Sequence, residues 1–142
     1  MKTFLFTLSL LFAAPFASAH DHGPGDIELR FAGDTVHAHC QWTQGPQSPA
    51  ESVLAIQWMD AVKHIPADVP GTFTVELWMP DMGHGSSPTQ IQREIDKAGN
   101  PVLGLYRVSN IYFVMDGKWQ IKDTLTYANS AKETQNKKNK VP

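Results

Sequence analysis

The sequence predicts an all-β protein, a single-domain antiparallel β-sandwich. Short runs rich in β-branched and aromatic residues alternate apolar and polar positions with a period of two, most clearly Thr72-Phe73-Thr74-Val75-Glu76-Leu77-Trp78. Turn signals built on Gly, Pro, Asn and Asp separate these runs, among them Gly33-Asp34, Ala98-Gly99-Asn100-Pro101 and Asp116-Gly117. No internal repeat and no second domain is visible. About seven short strands punctuated in this way are the pattern of a sandwich whose loops gather at two poles.

The first element is not part of that domain. Met1 to Ala19 reads as a secretory signal peptide, with Lys2 as the positive n-region, Phe4 to Phe12 as the apolar segment and Ala17-Ser18-Ala19 as an A-x-A cleavage site. The apolar run is too short to span a bilayer, and no later stretch approaches the ~20 apolar residues that a span requires. The expectation is an exported chain, periplasmic or secreted, with no membrane span after cleavage. Cleavage after Ala19 opens the mature chain with His20-Asp21-His22, in a flexible N-terminus over 20–26 next to Gly23-Pro24-Gly25. A free amine, two amides and the third-position imidazole of His22 can surround Cu(II) or Ni(II) in a square plane. His20 can also chelate through its amine and ring together. A solvated terminus with incidental histidines is the plainer alternative.

Composition narrows the classes. The formal net charge is −2, so the chain carries no basic footprint for nucleic acid or an anionic membrane. Cys40 is the single cysteine, which excludes an intramolecular disulfide. A lone thiol in an oxidising compartment must be buried, metal-bound or paired with another molecule.

The elements then follow in order. Ile27 to Ala32 is a short first strand. In Thr35 to Trp42, Val36, Ala38, Cys40 and Trp42 share one face, and Thr35, His37, His39 and Gln41 share the other. The first set is expected in the core, with Cys40 a small inert hydrophobe. His37 and His39, roughly 7 Å apart by strand rise, could grip one metal with a third ligand, or simply line a wet face. Ser52 to Met59 is a strand. Asp60 to Pro70 is irregular, and Pro88 to Lys97 is extended or one helical turn. Leu103 to Met115 is a long strand with a bulge near Asn110. Asp116-Gly117 predicts a type I′ hairpin into Lys118 to Tyr127, where Trp119, Ile121 and Leu125 alternate with polar residues. The sandwich is expected over 27–128. The polar remainder, 129–142, lacks apolar residues and is expected to be disordered.

The candidate site is Met79-Pro80-Asp81-Met82-Gly83-His84-Gly85, the loop that leaves the Thr72 to Trp78 strand. Thioether sulfur suits Cu(I), and imidazole suits copper in either oxidation state. The candidate ligands are Met79, Met82 and His84, with Met115 as a fourth from another strand end. A second reading makes Met79 a core residue and the loop a turn, since parity with Phe73, Val75 and Leu77 points Met79 inward.

The stretch Val75 to Pro88, together with Tyr106-Arg107-Val108 and Phe113-Val114-Met115-Asp116-Gly117-Lys118-Trp119-Gln120-Ile121, resembles the YtkA-like and FixH-like families over roughly Leu54 to Leu125. The resemblance implies an immunoglobulin-like sandwich in an exported protein. FixH-like proteins are linked to maturation of copper-containing respiratory oxidases, which implies copper as the metal. They carry a membrane helix where this chain has a cleavable signal. The general plan is also similar to that of the CopC copper carriers.

Two functions compete. One is an exported soluble copper carrier or buffer with Met79, Met82, His84 and Met115 at one site and His20 and His22 at another. The other is a non-enzymatic module that docks an exported or membrane protein partner, with the loop structural and Trp78 on the docking face. The chain has no nucleophile elbow, no H-E-x-x-H and no paired-carboxylate signature, so no enzyme is expected.

Overall fold

In a computed structural model that describes residues 26–142, Ile27–Phe31 (β1), Val36–Gln44 (β2) and Glu51–Asp60 (β3) form a meander. Alternation explains it: Ile27, Leu29 and Phe31 of β1, and Ala38 and Cys40 of β2, are buried on one face. The two-residue strand Ile65–Pro66 (β4) pairs with the end of β3. Gly71–Met79 (β5) then enters the second sheet, where His84–Gly85 (β6) returns against its end. Gln90–Ile95 (β7) and Pro101–Tyr112 (β8) rejoin the first sheet. Gly117–Tyr127 (β9) and Lys132–Val141 (β10) complete the second.

All the strand pairs are antiparallel, in sheets of order β1-β2-β3-β8-β7, with β4 beside β3, and β10-β9-β5-β6. The core lies between them. Leu54, Ile56, Trp58, Val108 and Ile111 of one sheet meet Val75, Leu77, Trp119, Ile121 and Leu125 of the other. Burying each of these side chains contributes about 2 kcal/mol. Phe73 joins the core's rim, its ring 5.2 Å from Trp58 and 5.1 Å from Tyr106. This is the all-β sandwich that the alternation predicts.

The structure corrects several local expectations. Composition predicts disorder over 129–142, yet Lys132–Val141 pairs with β9 over its whole length, from Lys132↔Thr126 to Val141↔Gly117. Composition misses this because the strand is held by its ladder, which satisfies the N–H and C=O groups along one edge of β9. Only Val141 is buried. Lys132, Lys137, Lys138 and Lys140 sit on what is the sheet's edge, where charge discourages pairing with another chain. The sandwich therefore runs to Val141 rather than ending at 128.

Asp116-Gly117 is not a hairpin turn. Gly117 takes φ 143° but Asp116 is not left-handed, and β8 and β9 belong to different sheets. The segment after Tyr112 is a crossover, pinned by Phe113, whose ring packs 5.3 Å from Trp119 and 5.9 Å from Trp42. Within the segment expected to be irregular, Ile65–Pro66 forms β4, and the segment after Pro88 is extended as β7. The bulge near Asn110 is present. Asn110 has φ 59°, and two steps along β3 from Ser52 to Leu54 match three along β8 from Ile111 to Val108. Among the described residues no helix is long and apolar enough to cross a membrane.

Candidate metal centres

The Met/His motif forms the β5–β6 hairpin. Gly83, at φ 65°, takes the left-handed position that closes the loop. The Met82 and Gly83 amides donate to the Met79 carbonyl at 3.3 and 3.0 Å. This sets Met79 directly opposite His84, so the two side chains share one face. Met79 is buried, as its parity predicts. The His84 ring lies edge-on to Trp119 with centroids 5.9 Å apart, and the Trp119 indole donates to the Met115 carbonyl at 3.0 Å. The Met79 methyl lies 3.0 Å from where a Cβ on Gly117 would stand. Met79, His84 and the Met115 backbone thus gather around Trp119 at one pole. Met82 stands apart at the hairpin tip, 59% exposed, and Met115 is 39% exposed. His84 Nδ1 lies 3.3 Å from the Gly85 carbonyl. In the tautomer protonated there, Nε2 keeps its lone pair for a metal.

His20 and His22 lie outside the described residues, so the terminal chelate has no structural account.

A second group sits on the outer face of the first sheet. Glu28 of β1 is directly opposite His39 of β2, and Arg30 is opposite His37. One ligand atom from each of Glu28, His37 and His39 lies within 4.8 Å of the others. The two imidazole centroids are 6.2 Å apart. The sequence marks the histidine pair but leaves its third member unnamed. The parity of β1 could have supplied it, because burying Ile27, Leu29 and Phe31 turns Glu28 to the face of His37 and His39.

The interior holds two groups of another kind. Cys40 is fully buried, and that burial, reinforced by the nearby Asp123 and Asp26 charges, pushes its thiol well up from the ordinary value. Asp123 is also fully buried, and neither of its carboxylate oxygens has a hydrogen-bond partner among the described residues. Burial pushes its pKa up to about 7. Its parity with Trp119, Ile121 and Leu125 was the available signal for an inward carboxylate.

No family model and no curated protein matches the chain. Among solved structures, the fold is similar to that of a DUF4426 family protein from Pseudomonas aeruginosa PAO1, with a TM-score of 0.56 and 13% identity. The match covers 80% of this chain and 94% of that one. At that identity the likeness speaks to the β-sandwich alone.

Proposed function

We propose that the chain is an exported, soluble metal-binding protein, a periplasmic copper carrier or buffer that holds Cu(I) at the β5–β6 pole. The observation that carries the reading is the register placing Met79 directly opposite His84, beside Trp119. A neutral thioether and a neutral imidazole are a donor set for Cu(I). Met115 and Met82 are the further candidate ligands, and their exposure suits a carrier, which must pass its ion to a partner. Protonated imidazole cannot ligate, so binding weakens in acid.

The experiment is a Cu(I) titration against a competing chelator with Met82→Ala and His84→Ala made singly. Loss of at least tenfold in affinity (about 1.4 kcal/mol) in both, with the thermal midpoint of the metal-free protein unchanged, supports the site. Unchanged affinity with a lowered midpoint makes the hairpin structural.

One observation favours the other reading, a protein-interaction module. A groove of about 400 Å³ runs along β5, lined by residues that include Val75, Leu77, Trp78, Pro88 and Ile91. The stretch after β6 meets that strand edge through two hydrogen bonds, Ser86 N–H to the Leu77 carbonyl at 3.1 Å and Thr89 hydroxyl to the Val75 carbonyl at 2.7 Å. An exported or membrane protein could add a strand there.

A further inference from the structure

We infer that Glu28, His37 and His39 form a second metal site, for a divalent cation of borderline softness such as Zn²⁺ or Cu²⁺. The inference does not rest on the hairpin reading. It rests on three ligand atoms within 4.8 Å of one another, a convergence that the β1–β2 register builds into the backbone. Glu28 and His39 are a directly opposed pair, and His37 lies two residues along the same face. Two imidazoles and one carboxylate are a ligand set for such ions, with a position left for water or another donor.

The cluster is also incomplete as it stands. His37 Nε2 is shut off from solvent and makes no hydrogen bond among the described residues. Burying a polar atom without a partner is costly, and an ion bound through Nε2 would satisfy it. The groups that now approach Glu28 Oε1 are the Arg30 guanidinium, with Nε at 2.8 Å, and His37 Nδ1 at 3.2 Å. The second is an ion pair only when His37 is protonated. Arg30 is mostly exposed and also lies 4.0 Å from Asp34, so it has another carboxylate to face when a metal takes Glu28. On β3 the registered neighbours of His37 and His39 are Met59 and Gln57, both uncharged, so that strand places no cation opposite either imidazole. Donors at about 2.1 Å from an ion are at most about 4.2 Å apart. Tetrahedral donors at that distance are about 3.4 Å apart, so closing a separation of up to 4.8 Å asks for a contraction of at most about 1.4 Å, which side-chain rotations supply.

The test titrates the full chain with Zn²⁺ and Cu²⁺ separately, and repeats both with Glu28→Gln, His37→Gln and His39→Gln. The inference expects at least a tenfold loss of affinity in each variant for the ion that binds, with the metal-free thermal midpoint of Glu28→Gln and His39→Gln unchanged. For Cu²⁺, paramagnetic resonance should show coupling to two imidazole nitrogens, and His39→Gln should remove one. His84→Ala should leave this site intact, which separates its failure from failure of the hairpin site. Affinity unchanged in the Glu28 and His39 variants overturns the inference. So does Cu²⁺ binding that disappears only when His20 and His22 are replaced, which would assign the ion to the chain terminus.

Discussion

Met79 and His84 face each other directly across the β5–β6 hairpin, one side chain buried in the core and the other at the rim against Trp119. A residue that the alternation assigns to the core is therefore also the one closest in register to the motif's imidazole. Core and candidate ligand are compatible here because the strand ends at Met79 and the chain turns back at once.

That relationship makes Met79→Leu a decisive substitution. Leucine keeps nearly the same volume and apolar character, so stability should fall by less than about 1.5 kcal/mol. It removes the one donor atom of that side chain. Cu(I) affinity should drop at least tenfold while the thermal midpoint stays within a few degrees, as read by chelator competition and calorimetry. Unchanged affinity would take Met79 out of the ligand set.

Asp123 makes stability depend on pH in the direction opposite to that of a salt-bridged carboxylate. Its folded pKa is about 7 against an ordinary 3.8. Between those values the folded chain keeps a proton that the unfolded chain has released, so protonation favours folding. Stability from this group is full below about pH 4, is lost as pH rises toward 7, and falls no further above that. The effect is on the order of 4 kcal/mol. Asp123→Asn should flatten the slope between pH 5 and 7 and stabilise the protein at pH 8, measured by urea unfolding. An unaltered slope would contradict it.

Cys40 should resist labelling. Its thiol is fully buried and its pKa is raised, chiefly by that burial, so little nucleophilic thiolate is present. A thiol reagent should react slowly under native conditions and stoichiometrically in denaturant. Rapid labelling of the folded protein would contradict the burial.

Removing β10 should cost both stability and solubility. Truncation after Asn129 strips the ladder from β9 and removes buried Val141. It also breaks the contacts of Glu133, whose carboxylate accepts from the Ala32 amide at 3.0 Å and the Tyr127 hydroxyl at 2.7 Å. The truncated chain should melt several degrees lower and self-associate through the exposed edge of β9, as seen by light scattering. A monomeric chain with an unchanged midpoint would show the strand to be dispensable.

Local pattern alone determined the strands that line the core and their inward faces. The period-2 spacing of Val75, Leu77, Trp119 and Ile121, the burial of Cys40 and the bulge at Asn110 all follow from which residues alternate, because a strand's two faces are set by parity. Pairing between distant strands is not a local property, and only the tertiary structure decided it. Asp116-Gly117 has hairpin chemistry, but its flanking strands pair in different sheets. The residues of β10 have no apolar pattern, and their order comes from an edge of β9 that needs partners. Glu28 acquires meaning only once β1 lies against β2 and brings it opposite His39. A ligand set drawn from two strands depends on their register, and no single stretch of sequence contains a register.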